Sequence, residues 1–237
     1  MCSRFPNKTS GLRCRRILDV LSPMSGGFER PATIALPEES GAGLALDGLY
    51  VPVAEPRAAA VIAPPHPLMG GSMTSPVVSE LAWASERAGL SSLRFDWRGV
   101  GASAGTPSGD HAQADEDFES ASLFMQETVG VPLVAAGYSF GALAALRYAH
   151  KAASVDRLVL VAPPSALLNL ESLLSFSGQI LVVAGQDDEW VDVGPLGEAT
   201  LGVPDVRIEL FPECDHFFMT HLGPLSRSVE AWLKGAD

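Results

Sequence analysis

The stretch Leu133-Val134-Ala135-Ala136-Gly137-Tyr138-Ser139-Phe140-Gly141-Ala142-Leu143-Ala144-Ala145-Leu146 decides how this chain is read. Leu133–Ala136 is a short apolar run, the composition of a strand buried on both faces. Gly141–His150 has the character of a helix. Between them Gly137-Tyr138-Ser139-Phe140-Gly141 forms the pattern G-x-S-x-G. As a bare string it is weak, because glycine and serine are common in any protein. Its setting makes it specific: a sharp turn from strand into helix lifts the Ser139 hydroxyl above the end of a sheet, where it serves as a nucleophile. Such a turn is strained, and residues lacking a Cβ let strand and helix approach closely around it.

The punctuation on either side repeats the same unit. Ala32–Leu36 and Leu44–Val51, bounded by Pro37 and Pro52, read as an edge hairpin. Ala58–Ala63, Ser91–Phe95, Arg157–Val161, Ile180–Ala184 and Val206–Phe211 read as further strands. Helical spacing covers Pro76–Ala88, stopped by Gly89, and Leu225–Lys234. Ala112–Glu127 is a third such helix, with its acids on one side and Phe118, Ala121, Leu123 and Phe124 toward a core. Strands alternating with helices predict an α/β architecture, a doubly wound, mostly parallel sheet with helices on both faces. Residues 162–179 leave room for a minimal cap, a short helix over Ala166–Phe176, and not for a lid domain.

Composition narrows the partners. The chain has 237 residues, is 47% hydrophobic and carries a net charge of −12 from 28 acids and 16 Lys or Arg. That balance argues against nucleic acid and anionic membrane surfaces. No apolar run approaches the roughly 18 residues of a membrane span. Three cysteines do not make a disulfide framework, so a reducing, cytoplasmic location is expected. Residues 1–24 stand apart, with Arg4, Lys8, Arg13, Arg15 and Arg16 against Asp19. They lack the uninterrupted apolar run of a secretory signal. A flexible basic extension is expected there, with a folded helical arm as the alternative, and a single domain over 25–237.

A serine hydroxyl is a poor nucleophile until a base takes its proton. The chain offers His66, His111, His150, His216 and His221. With this turn the partners follow the serine as acid, then histidine, which sets aside His66 and His111. His150 lies on the helix that the turn opens, and His221 lies one turn beyond His216. His216, in Cys214-Asp215-His216-Phe217-Phe218 on the loop after Val206–Phe211, is the expected base. Asp187 and Asp188 follow the strand Ile180–Ala184; one orients the imidazole and the other is solvated, with Asp188 favoured. The developing oxyanion needs backbone N–H donors. One is Phe140, and the second comes from the loop Pro64–Gly71. There Pro64, Pro65 and Pro67 have no N–H, leaving His66, with Leu68 as the alternative. Leu68, Met69, Tyr138, Leu167, Leu170, Trp190 and Phe217 are expected around the substrate. Gly99-Val100-Gly101-Ala102-Ser103-Ala104 fits a G-x-G-x-x-A dinucleotide fingerprint. The following Gly105-Thr106-Pro107-Ser108-Gly109 keeps the chain in a loop instead of opening a helix, so neither cofactor nor metal is expected.

Taken in order over roughly residues 44–234, these segments resemble the serine hydrolases of the α/β-hydrolase superfamily. Pro64–Gly71 resembles the H-P-x-P-x-x-G-G oxyanion loop of a group of small bacterial members, with Pro64 where that group often has its first histidine. Phe95–Ser103 resembles the D-x-R-G-x-G-x-S segment that supports the elbow. Gly185–Val191 resembles the G-x-x-D-x-x-V segment carrying the acid, which favours Asp188, and Asp215-His216-Phe217-Phe218 resembles the D-H-F-F segment carrying the base. The resemblance implies an α/β-hydrolase fold and a triad of Ser139, Asp188 and His216. It also implies cleavage of carboxylic esters through an acyl-enzyme, or the same machinery in a thioesterase or acyltransferase. A non-catalytic scaffold would have lost a member of the three. The expected partner is a small-molecule ester or thioester with a short acyl chain, because the cap is short. Some of its leucines then face the cleft or a second copy of the chain in a homodimer; the alternative is an ordinary core-packing helix.

Overall fold

Four strands place buried apolar residues on both faces of the sheet, and the layers of the molecule follow from their alternation. The computed structural model describes residues 28–201, 203 and 205–235; the expected basic extension over 1–24 lies outside them. Eight strands form one sheet: β1 (Arg30–Ala35), β2 (Ala45–Val51), β3 (Ala59–Ala63), β4 (Ser91–Phe95), β5 (Leu133–Tyr138), β6 (Val155–Val161), β7 (Gln179–Gly185) and β8 (Val206–Phe211). Their order is β1-β2-β4-β3-β5-β6-β7-β8. β1 and β2 form the expected antiparallel hairpin at one edge, β2 meets β4 antiparallel, and every other pairing is parallel. The strand order turns about β3, so the loop leaving β3 and the turn leaving β5 emerge side by side at the carboxyl edge, the position where open α/β sheets bind ligands.

β3 shows how the faces are assigned. Ala59, Val61 and Ala63 enter one core with α2 (His111–Val129) and α3 (Phe140–Lys151). Ala60 and Ile62 enter the other with α1 (Pro76–Arg87) and α6 (Leu222–Lys234). The period of two along a strand thus builds two hydrophobic layers from one run of five residues. This is the α/β-hydrolase fold. Among the described residues no helix is long and apolar enough to cross a membrane.

Three local expectations are corrected. On α2, Phe118, Ala121 and Met125 are buried, but Leu123 is 48% exposed. Leu123 lies five residues past Phe118, on the opposite face of a 3.6-residue helix. Asp117, placed with the solvated acids, is buried and paired with Arg98. The cap helix is shorter than Ala166–Phe176: α4 covers only Leu170–Leu174, because Asn169 caps it by accepting from the Ser172 N–H at 2.9 Å. Residues before Asn169 are instead stitched to the loop after β7, with Ser165 N–H on the Trp190 carbonyl at 2.9 Å and Asp192 N–H on Ser165 Oγ at 2.7 Å. Finally, α5 (Val193–Thr200) was not foreseen; Asp192 caps it through the Gly194 N–H and Leu196 anchors it in the core.

Candidate active site

The turn after β5 has the strain its glycines were read to relieve. Ser139 has φ 56° and ψ −118°, a left-handed backbone that a residue with a side chain rarely adopts. A Cβ on Gly137 would overlap the backbone of Gly141, and one on Gly141 would overlap the Ala63 and Pro64 carbonyls. These two positions therefore admit only glycine, one for the tightness of the turn and one for the approach of the β3 loop. Ser139 N–H is held by the Val161 carbonyl of β6 at 2.8 Å, which fixes the turn to the sheet.

Three side chains meet there. Ser139 Oγ lies 3.0 Å from His216 Nε2, and His216 Nδ1 lies 2.7 Å from Asp188 Oδ2. All three residues are buried. Asp188 also accepts the Trp190 N–H at 2.9 Å through its other oxygen, so both carboxylate oxygens are engaged. Its neighbour Asp187 is exposed and is tied down only by its backbone, N–H to the Cys214 carbonyl at 3.0 Å. The two adjacent acids are thus separated in space as their alternation on a loop suggested. The acid and base loops come this close because Gly185 has no Cβ, which would overlap the Cys214 carbonyl.

Aromatic rings hold the base loop. Tyr138, placed beside the substrate by the sequence reading, is buried, and its hydroxyl donates to the His216 carbonyl at 2.9 Å. Burial, with Asp188 and Asp215 nearby, pushes its phenol well above the usual tyrosine range, so it stays a neutral donor. Burial and the surrounding carboxylates likewise push the Cys214 thiol up to about 11, leaving it unreactive. Trp190 packs edge-on to the His216 ring at 4.3 Å and Phe217 at 5.8 Å. Both are about half exposed, Leu68, Met69 and Leu167 are more so, and Leu170 packs against the core.

The amides of the β3 loop are engaged as follows. The Leu68 N–H is taken by His66 Nδ1 at 3.2 Å, a local bond between a side chain and the backbone two residues on. Pro64, Pro65 and Pro67 lack an N–H, and the Met69 and Gly71 N–H groups donate to the His66 carbonyl at 3.0 and 3.1 Å. The His66 ring packs edge-on to Phe140 at 4.7 Å, with His111 on the same ring at 5.7 Å. Burial, aided by His111, holds the His66 pKa below the ordinary histidine value, consistent with a neutral ring whose Nδ1 accepts. One contributor was missed in the sequence: Trp97 Nε1–H donates to the Pro64 and Pro65 carbonyls at 3.1 and 3.0 Å. The D-W-R-G segment was noted as support, but an indole bond to a distant loop leaves no sequence pattern.

The glycine-rich Gly99–Ala104 segment closes on itself, with Gly99 N–H on the Ala104 carbonyl at 3.0 Å, and the next helix begins only at His111. Its Ser103 accepts the Asp47 N–H at 2.8 Å, and the buried Asp96 accepts the Met73 N–H at 2.6 Å. The segment therefore braces the loops behind the elbow.

Residues 55–176 match the family model Hydrolase_4, described as serine aminopeptidase, S33. The match runs from β3 to the cap and includes Ser139. No curated protein matches the chain. Among solved structures, an alpha-beta serine hydrolase homologue from Coxiella burnetii is 27% identical, with a TM-score of 0.77 over 86% of this chain and 97% of that one. A putative alpha/beta hydrolase of unknown function from Agrobacterium tumefaciens is 28% identical, with a TM-score of 0.76 over 86% and 94%. A serine hydrolase without lid from Xanthomonas campestris is 27% identical, with a TM-score of 0.74 over 87% and 94%.

Proposed function

The chain belongs to the Hydrolase_4 family (serine aminopeptidase, S33) of α/β hydrolases, and on that premise we propose that it is a serine hydrolase cleaving carboxylic esters through an acyl-enzyme. The observation that carries the reading is the unbroken line from Ser139 Oγ through His216 to Asp188, at 3.0 and 2.7 Å. His216 Nε2 takes the hydroxyl proton as Oγ bonds to the ester carbonyl carbon. Asp188 on Nδ1 holds the imidazole in the tautomer whose Nε2 is free, and stabilises the imidazolium. The C–O bond to the alcohol breaks as His216 returns the proton to the leaving oxygen. Water then repeats the sequence on the acyl-enzyme, releasing the acid and regenerating Ser139.

The oxyanion is received by the Phe140 and His66 amides. Phe140 opens α3, whose N-terminal amides favour negative charge. The Pro65–His66 peptide is planar and trans, so its C=O and N–H point in opposite directions. Trp97 fixes the carbonyl on the buried side, and that aims the His66 N–H away from Trp97, toward the site. The loop thus acts as the H-P-x-P-x-x-G-G loop of the small bacterial group does. Leu68, Met69, Trp190 and Phe217 form an apolar rim for the acyl and leaving groups. The five residues of α4 rise about 7.5 Å, enough to shelter a short acyl chain and too little to enclose a long one.

The test is fluorophosphonate labelling followed by a series of p-nitrophenyl esters, with an aminoacyl p-nitroanilide alongside. Labelling at Ser139, loss of turnover by several orders of magnitude in Ser139→Ala, and a kcat/KM optimum at short neutral acyl chains are expected. Full activity in Ser139→Ala would end the mechanism, and turnover confined to the anilide would replace the ester by a peptide.

A further inference from the structure

A cavity of about 320 Å³ lies along the outer side of α3, between the start of α2 and the segment leading into α4. Its wall includes His111, whose ring lies 5.7 Å from that of Phe140, the residue after Ser139. Leu143, Leu146 and Leu167 give it an apolar floor. The rest of its wall is polar, with the basic His111, Arg147, His150 and Lys151 beside the neutral Asn169 and Ser172, and no carboxylate lines it. That is unexpected in a chain of net charge −12. Basic residues at the end of a helix complement its free carbonyls, which accounts for His150 and Lys151 in the last turn of α3. It does not account for Arg147, one turn earlier, or for His111 on another helix. Asp115 stands behind the wall, 2.7 Å from Arg147 Nε and 3.9 Å from Lys151 Nζ, and holds both cations in place. Arg147 keeps a buried Nη2 with no hydrogen-bond partner, a donor lacking its acceptor.

We propose that this cavity is a subsite for a carboxylate at the far end of the substrate, so that the preferred long substrates are monoesters of dicarboxylic acids. The inference rests on the ester-hydrolase reading. With the ester carbonyl at Ser139, the acyl chain runs past Leu143 and Leu167, and its terminal carboxylate meets Arg147 and Lys151. Along α3 the rise from Ser139 to Arg147 is about 12 Å, which suits a diacid of about eight to ten carbons. A neutral chain of the same length gains the three leucines but adds no second anion beside Asp115, which alone faces the two cations.

The experiment compares the p-nitrophenyl monoester of sebacic acid with p-nitrophenyl decanoate, equal in length and differing in the terminal charge. The monoester is expected to have kcat/KM about tenfold higher at low ionic strength, with the ratio falling toward one in high salt. Lys151→Gln and Arg147→Gln are expected to remove the preference and leave p-nitrophenyl acetate turnover unchanged. Equal kcat/KM for the two esters, or a preference that survives both substitutions, overturns the proposal. Titration of the Ser139→Ala protein with sebacate reports on the cavity without catalysis. Binding that Lys151→Gln weakens about tenfold supports the subsite, and its absence refutes it. Loss of all ester turnover together with sebacate binding would instead strike the ester-hydrolase reading and leave the cavity standing.

Discussion

Replacing Trp97 by Phe separates the aim of an oxyanion donor from its presence. The indole N–H is shared between the Pro64 and Pro65 carbonyls at 3.1 and 3.0 Å. Phe retains an aromatic edge toward Phe140 and Phe95, which Trp97 meets at 5.7 and 5.0 Å, and removes only that bond. Deleting an oxyanion donor outright costs about 10²–10³ in kcat. Here the His66 N–H remains and its peptide plane is freed to rock, so a smaller loss is expected, about tenfold or ~1.4 kcal/mol in the barrier. The carbonyls left without a partner cost about 1 kcal/mol of stability, roughly 3 °C in Tm for a chain of this size. The assay is steady-state hydrolysis of p-nitrophenyl butyrate with inhibition by a trifluoromethyl ketone, whose hemiketal bears the oxyanion. kcat and inhibitor affinity should fall together while KM stays near its starting value. A variant with the lower Tm and an unchanged kcat would show Trp97 to be a packing residue and refute the peptide-plane argument.

Asp188→Asn should cost about 10⁴-fold in kcat by presenting the wrong tautomer of His216, and Asp187→Asn far less; equal losses measured on one ester would contradict the assignment of the acid. Asp117→Ala should destabilise by about 3–5 kcal/mol, because it strands Arg98, whose Nε it holds at 2.7 Å in a buried pair; a thermal melt with a drop of less than about 2 °C would show that Glu116 suffices. The acid limb of stability should carry the signature of His66. Its folded pKa is lowered from 6.5, so below that pH the unfolded chain binds more protons and stability falls as pH drops from about 6.5 toward the folded pKa. Urea midpoints at about pH 7 and about pH 5.5 should differ more in the parent than in His66→Asn, and identical differences would remove His66 from the explanation.

The parallel strands were legible because burial on two faces leaves a continuous apolar run, as in Ala58–Ala63. Ser139 and Asp188 were singled out because each follows such a run, and His216 because it follows the alternating segment Val206-Arg207-Ile208-Glu209-Leu210-Phe211. What escaped the sequence depends on contacts between distant segments. α5 contains Gly194, Pro195 and Gly197, poor helix formers, and exists because Asp192 caps it and Leu196 finds the core. Ala166-Leu167-Leu168 reads as helix, yet the bonds from Ser165 to the Trp190–Asp192 loop hold its start in a turn. Sequence reading left Leu68 as an alternative donor to His66, since nothing in Pro64–Gly71 says that the His66 ring consumes the Leu68 amide. Asp117 could not be told from its solvated neighbours until Arg98 was found buried beside it.

The brevity of α4 bears on where the acyl group goes once it is on Ser139. Enzymes that pass an acyl group to a second alcohol or thiol keep the intermediate dry, so that the acceptor does not compete with bulk solvent. In this molecule Trp190 and Phe217 beside His216 are half exposed, and the roof is five residues long. An acyl-enzyme here would stand in a wet vestibule, and partition between water and any other acceptor would be set by concentration. On the ester-hydrolase reading, such a site would suit release of free acids to water more than movement of one acyl group between two chosen carriers.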